Sequence, residues 1–193
     1  LSFLNDKIGE EVANSKVSFV DDALMKNGFG SSGFDEEGRS TKKNILVEKG
    51  VLKSYYHNTS TAKKYNVEPT GNAGLLDPGS FNFELVRGSK SRDKLISNLD
   101  NGLLITNVWY TRFNNYSTGE FSTIPRDGMF LVKKGKIVDS LKNLRISDNM
   151  LRILKSISEI GSNSEQVSSW EAENNIKCPS VLIKGVNVTK AKD

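Results

Sequence analysis

Two hairpin patterns constrain the fold of this chain more than any other feature of its sequence. A β-rich run at residues 44–48 turns at Lys49-Gly50 and returns over 51–56, and the run 129–138 turns at Lys134-Gly135. Short runs of strand-forming residues that meet at a glycine turn are typical of antiparallel hairpins. Because hairpins dominate and helices are few, we predict an α+β fold with a mainly antiparallel sheet and a few packed helices.

The other elements are predicted from periodicity and from capping residues. Strands are expected at 81–86, at 103–110 as a buried strand, and at 181–188 as a closing strand. Helices are expected at 59–65, after Ser91 and up to Gly102, and after Ser147 and up to Gly161. The expected buried face of the last helix comprises Met150, Leu151, Leu154 and Ile157. Loops are expected at 27–38, 69–79 and 162–177.

The length of 193 residues suits a single domain over 1–193, with an acidic, loop-rich lead-in at 1–40 and a core at 41–188. The chain begins at Leu1 without a methionine, a basic region or a long apolar run, so we expect a piece of a longer protein without a signal peptide. No apolar run approaches the ~18 residues of a membrane span, and we expect no membrane partner.

The formal net charge of +4 is unevenly spread along the chain. Residues 1–40 carry eight acids and four bases, whereas residues 41–160 carry nineteen bases and eleven acids. The lysines of this basic middle stand mostly in pairs at turns, and the sequence contains no evident platform of aromatic and arginine side chains. A solvated basic face is therefore the favoured interpretation, and nucleic acid is an unlikely partner.

The chain has one cysteine, Cys178, and one histidine, His57. A single cysteine cannot form an intramolecular disulfide, which fits a reducing, cytoplasmic setting. The counts exclude a cysteine-rich zinc module and a site with two histidines, so no catalytic residue and no metal ligand is predicted. We expect His57 to be packed or hydrogen bonded and Cys178 to be a small buried side chain.

Two further motifs have weak functional interpretations. Residues 28–33 match G-x-G-x-x-G, but the following 34–38 cannot begin a good helix, and its acids would repel a phosphate, so a loop is favoured over nucleotide binding. The adjacent carboxylates of Asp35, Glu36 and Glu37 are interpreted as part of a turn, because neighbouring side chains seldom point the same way.

Several stretches in a fixed order resemble the TldD/PmbA (TldE) family, whose members are also called modulators of DNA gyrase. They are FDEEG at 34–38, VEKGVLKSY at 47–55, TAKK at 61–64, TGNA at 70–73, STGEFS at 117–122, RDGMFLV at 126–132, GKIV at 135–138 and PSVLI at 179–183. Each is weak alone, but together they resemble the C-terminal half of such a protein.

The resemblance implies a cytoplasmic peptidase system in which two family subunits, identical or different, pair around a chamber where unfolded peptides are processed. The catalytic subunit of the family binds zinc through an H-E-x-x-x-H helix and a cysteine in a C-G-K-x-G-Q-like segment. The family helix lies just upstream of the part that matches Leu1, and residues 162–177 contain no C-G-K-x-G-Q. Zinc is therefore expected only in a catalytic family subunit, and this chain resembles the non-catalytic, TldE-like type.

The resemblance implies that this chain forms part of the chamber wall and of the subunit interface of a metallopeptidase system. Two alternatives stay open: a peptide-binding module without peptidase activity, which holds extended peptides at sheet edges, and a factor that modulates DNA gyrase. We expect Thr70, Gly71 and Asn72 to line the substrate site, because small residues allow close backbone approach and an asparagine both donates to and accepts from a peptide group. A simple turn that needs Gly71 is the competing interpretation.

Overall fold

The computed structural model describes residues 2–169 and 172–190. The first strands and helix are β1 (Phe19–Asp22), β2 (Lys43–Glu48), β3 (Val51–Leu52), α1 (Thr59–Tyr65) and β4 (Asn82–Leu85). The middle of the chain forms α2 (Arg92–Ser97), β5 (Asn101–Asn115), β6 (Glu120–Lys133), β7 (Lys136–Ser140) and β8 (Leu144–Asn149). The last elements are α3 (Met150–Ser156), β9 (Ile157–Ser169), β10 (Ala172–Ile183) and β11 (Val188–Lys190).

The strands form two sheets, and their pairing confirms the mainly antiparallel α+β fold. The larger sheet has the order β3-β2-β1-β4-β10-β9, in which only β4 and β10 run parallel. The smaller sheet has the order β11-β8-β6-β5, and β7 pairs with the far end of β6. None of the helices in the described residues is long and apolar enough to cross a membrane.

Both predicted hairpins are present, as β2–β3 and as β6–β7. Lys49 and Gly50 have φ values of 47° and 85°, and Lys134 and Gly135 have 49° and 73°. Two consecutive positive φ angles in a two-residue loop match the twist of the flanking strands. The Lys-Gly pairs are therefore the local cause of both hairpins.

The hydrophobic core begins well before residue 41. Val12, Ala13 and Val17 are buried in two core clusters, where they meet side chains such as Leu85 and Leu52. Strand β1 lies in the interior of the larger sheet, between β2 and β4. Residues 12–22 thus belong to the core itself, and the expected division into a lead-in and a core at residue 41 does not describe the packing.

Helices α1 and α2 lie where the sequence predicts them. Asn58 accepts from the backbone N–H of Thr61 and forms a capping box with it, and Ser91 caps α2, whose Leu95 is buried. The predicted end of α2 at Gly102 is wrong, because Gly102 pairs with Val132 and belongs to β5.

The predicted helix from Ser147 to Gly161 is wrong at both ends. Pairing with β6 and β11 makes 144–149 a strand, so Asn149 is the cap of α3. At the other end, Ile157 already pairs with Ile183 in β10. Leu151 and Leu154 are half-buried against the two core clusters, whereas the fully buried Ile157 lies on β9, so the predicted side chains do not form one buried helix face.

Three further predictions are corrected by strand pairing. Residues 162–177 form most of the β9–β10 pair, apart from 170 and 171, which lie outside the described residues. This pair is polar because β9 is an edge strand. The strand predicted at 103–110 exists, but it belongs to β5, an edge strand with a largely exposed or half-buried pattern. The closing strand divides, because β10 ends at Ile183 and β11 joins the other sheet.

Candidate functional site

The predicted substrate residues Thr70, Gly71 and Asn72 are buried, and they follow α1 in the chain. The side chain of Asn72 is only 1% exposed, and all of its polar atoms are used. Its Nδ2 donates to Asp21 Oδ2 at 2.7 Å and to the Gly79 carbonyl at 3.0 Å, and its Oδ1 accepts from Asn44 Nδ2 at 2.8 Å. The structure therefore gives Asn72 a structural position, and its contact with a peptide stays a prediction.

Asp21 is the centre of this arrangement. It lies on β1, opposite Asn44 of β2 and Phe83 of β4. Its Oδ1 accepts from the backbone N–H groups of Phe81 at 2.9 Å and Asn82 at 2.8 Å. Burial raises the pKa of this carboxyl group, although the hydrogen bonds from Asn72, Asn82 and Phe81 oppose the rise. We call Asp21, Asn44, Thr70, Asn72 and Asn82 the Asp21 network.

Thr70 joins the Asp21 network to the only histidine. Its carbonyl accepts from Asn44 Nδ2 at 3.0 Å, and its Oγ1 accepts from the His57 backbone N–H at 2.9 Å. The His57 ring is buried between Tyr55 and Tyr65, with its Nδ1 3.3 Å from Thr61 Oγ1. The prediction of a packed, hydrogen-bonded histidine is confirmed.

Position 71 requires a glycine because of its backbone φ angle and because a side chain there would have no room. Its φ is +71°, and a Cβ there would lie 2.7 Å from the Ser40 carbonyl oxygen. These two constraints explain the glycine without a ligand.

The Asp21 network supports an exposed turn. Gly79 N–H donates to the Asn72 carbonyl, and Gly74 N–H donates to the Asp77 carbonyl, which closes the turn between them. At its surface, Leu75 and Leu76 are 89% and 85% exposed. The network thus fixes the base of a turn that presents two leucines to the outside.

The glycine-rich and acidic segments are structural. Gly30 N–H donates to Asn82 Oδ1 at 2.9 Å, and a Cβ at Gly30 would lie 2.2 Å from the Phe81 carbonyl oxygen. Asp35 is buried, and its carboxylate accepts from the backbone N–H groups of Ala73, Glu37 and Arg39. Both the loop and the turn interpretations are confirmed by these contacts.

The donor set of this chain does not fit a zinc ion. His57 is occupied as described, and Cys178 lies on β10, exposed, with its thiol 3.3 Å from the Pro179 carbonyl oxygen. The expectation of a buried cysteine is wrong, because the residue is exposed on β10. In the part of the chain that the structure describes, no three His, Cys, Asp or Glu side chains come together as a metal site.

A second polar cluster fixes the chain after β10. The Asp148 carboxylate accepts from Arg152 Nε at 2.7 Å and from Arg152 Nη2, and also from the backbone N–H groups of Asn149 and Asn187. Arg152 Nη1 donates to the Gly185 carbonyl at 2.8 Å. Burial acts to raise the pKa of Asp148, but these hydrogen bonds outweigh it and hold the pKa below its ordinary value.

Sequence reasoning missed an aromatic–arginine cluster on β5 and β6, formed by Trp109, Tyr110, Arg112 and Arg126. The Arg126 guanidinium lies 4.5 Å from the centre of the Trp109 ring, and the Arg112 guanidinium lies 5.7 Å from that of Tyr110. The Trp109 and Tyr110 rings are stacked at 4.9 Å. The expectation that the chain has no such platform is therefore wrong, because strand pairing brings Arg126 to Trp109. The run Trp109-Tyr110-Thr111-Arg112 is the sequence feature from which part of this cluster could be predicted.

Residues 1–190 match the family model described as the PmbA/TldA metallopeptidase C-terminal domain. A metalloprotease TldD homolog of Buchnera aphidicola is 31% identical over 166 residues, which cover 83% of this chain and 34% of that protein. The chain therefore spans about a third of the length of this curated relative.

Two solved structures have the same fold. A protein of Thermotoga maritima named as a modulator of a DNA gyrase is 34% identical, with a TM-score of 0.88 over 98% of this chain and 42% of that one. TldE of Thermococcus kodakarensis is 25% identical, with a TM-score of 0.86 over 96% of this chain and 42% of that one. The chain is thus similar to proteins named TldD and to proteins named TldE.

Proposed function

The chain belongs to the PmbA/TldD metallopeptidase family as its C-terminal domain, and we propose that it acts in a cytoplasmic peptide-processing complex as the non-catalytic subunit type. In this proposal it forms part of the chamber wall and of the interface with another family subunit, identical or different. Unfolded peptides are the substrates of the complex.

The observation that carries the non-catalytic assignment is the donor set. A catalytic zinc site needs about three protein ligands. Residues 162–177 contain no C-G-K-x-G-Q-like segment, which supplies the cysteine ligand of the catalytic family subunits, and Cys178 follows that region on β10. We therefore assign the zinc of the family to a catalytic partner subunit.

The edges of the two sheets support a role in holding extended peptides. Among the described strands, β5 pairs with β6 alone. Strand β9 pairs with β10, and Gly88 and Lys90 hydrogen bond to Gly161 and Ser162 at one part of its other edge. An extended peptide can add to such an edge through backbone hydrogen bonds, largely independently of its sequence. The alternative of a peptide-binding module without any peptidase partner depends on the same edges.

The exposed leucines support the interface assignment. Leu75 and Leu76 stand side by side on the turn whose base the Asp21 network fixes. Large apolar side chains presented together on a rigid turn are typical of protein interfaces. The base of this turn includes Asn72, and the role of Thr70, Gly71 and Asn72 in lining the substrate site of the chamber stays a prediction.

Zinc analysis after dialysis tests the non-catalytic assignment. We expect far less than one zinc per chain, because only one histidine and one cysteine are present. About one zinc per chain, lost in Cys178→Ala and kept in the matched serine variant Ser180→Ala, would overturn the assignment.

DNA binding separates this proposal from the role of a gyrase-modulating factor, which the name of the Thermotoga maritima protein raises. Binding of phosphates by lysine and arginine weakens steeply as salt increases. We expect weak binding to duplex DNA at physiological salt. Tight binding with a steep salt dependence would favour the DNA-binding function.

A further inference from the structure

The aromatic–arginine cluster lies on the strand whose edge is open. Among the described strands β5 has one neighbour, β6, and its 15 residues give an edge of about 50 Å. The pairing of β5 with β6 is interrupted between Ile105 and Asn107 and again between Trp109 and Arg112. Tyr110 has a φ of +53°. Such irregularities redirect side chains locally and are frequent at functional sites.

Arg126 is the residue of the cluster that points to a ligand. The residue is exposed, and the carbon of its guanidinium lies over the Trp109 ring, 4.5 Å from the ring centre. Within the described residues, Arg126 makes no ion pair and no hydrogen bond through its side chain. The neighbouring carboxylate of Asp127 accepts instead from Asn107 Nδ2 at 2.8 Å.

A guanidinium stacked on an indole is well prepared to bind a carboxylate. Contact with the indole ring restrains the guanidinium, so less conformational entropy is lost when its N–H groups form two parallel bonds to one carboxylate. The cluster is thus complementary to an acidic side chain and repels a basic one.

We propose that the aromatic–arginine cluster is a specificity site that selects extended peptides with a glutamate or aspartate side chain, which Arg126 binds while the peptide backbone lies along the edge of β5. This inference depends on the proposed peptide-binding function and adds a preference among substrates to it. Hydrogen bonds between the peptide backbone and β5 do not depend on the peptide sequence, so the preference for acidic side chains comes from the cluster.

Fluorescence anisotropy with three matched peptides tests the proposal. The first is a labelled, acetylated and amidated peptide of alternating threonine and valine with one central glutamate. The second has glutamine in place of the glutamate. The third is the glutamine peptide with a free carboxyl terminus. We expect the glutamate peptide to bind about tenfold more tightly than the other two, a difference of about 1.4 kcal/mol.

Two variants assign the difference to the cluster. Arg126→Gln is expected to remove the tenfold preference without moving the thermal unfolding midpoint, because the residue is exposed. Arg87→Gln, which removes another exposed arginine, is expected to keep the preference. Equal binding of all three peptides would overturn the specificity site and leave peptide binding intact. No binding of any peptide would overturn the proposed function as well.

Two other outcomes would also overturn the proposal. A preference for the free carboxyl terminus that depends on Arg126 would assign the cluster to chain ends and not to acidic side chains. A single-stranded oligonucleotide that binds more tightly than the glutamate peptide, and does so through Arg126, would assign it to phosphates.

Discussion

Single residues of the Asp21 network show how a short motif serves the fold. The Asn72 side chain joins β1, β2 and the exposed turn through its contacts with Asp21, Asn44 and Gly79. The sequence predicts that this asparagine matters, but it cannot show whether the amide faces a peptide or the interior. That outcome depends on the contacts of Asn72 with Asp21 and Asn44, which lie 51 and 28 residues away in the chain.

Asn72→Ala is expected to lower the free energy of unfolding by about 1–3 kcal/mol, because it leaves the buried Asn44 amide and the Asp21 carboxylate short of partners. Chemical denaturation measures this change, and Asn98→Ala, which alters an exposed asparagine outside the network, is the control. Peptide binding per folded molecule is measured in parallel. A fall in that binding with an unchanged unfolding midpoint would contradict the structural role and favour direct contact with substrate.

Asp148 provides a prediction about pH. Its pKa is below the ordinary value in the folded state, so its stabilising contribution is complete above the unfolded value of about 4 and is lost as the pH falls through the folded value. Asp148→Asn is therefore expected to be less stable than the parent protein at pH 7, with a gap that narrows below about pH 4. Unfolding midpoints across this range test it. A gap that is constant with pH would refute the assignment.

At the scale of elements, local turn chemistry was predictable and long-range pairing was not. The two Lys-Gly turns, the Asn58 capping box and the Ser91 cap depend on neighbours in sequence, and the structure confirms the hairpins and helices that they begin. The errors at 144–149 and 162–177 have another cause. These polar segments become strands because distant strands satisfy their backbone groups.

Leu154 of helix α3 allows a test of whether a half-buried side chain stabilises the core. Leu154 packs against the cluster of Val17 and Leu85, so Leu154→Ala is expected to cost about 2 kcal/mol, at the low end for a leucine because the residue is only half-buried. Leu75→Ala removes the same atoms from a side chain that is 89% exposed and should change stability by less than about 0.5 kcal/mol. Equal denaturation midpoints for both variants would show that α3 does not stabilise the core.

For the whole molecule, the family was predictable from ordered short motifs, and the surface chemistry was not. Stretches such as 47–55, 70–73 and 126–132 carry the resemblance to the family because they occur in a fixed order along the chain. The aromatic–arginine cluster is assembled by the pairing of β5 with β6, which brings Arg126 beside Trp109, and a local pattern reveals only the part at 109–112. The spatial grouping of side chains on β5 and β6 therefore required the structure.

The central claim is that this protein contributes structure and peptide binding to a metallopeptidase complex while its partner contributes the catalytic zinc. The most direct test measures cleavage of an unfolded fluorogenic peptide by the protein alone, by a family subunit with an H-E-x-x-x-H helix, and by their mixture. The account predicts no cleavage by the protein alone. It also predicts that the mixture elutes as one species and cleaves faster than the catalytic subunit alone. Zinc-dependent cleavage by the protein alone, or a mixture no faster than the catalytic subunit, would contradict it.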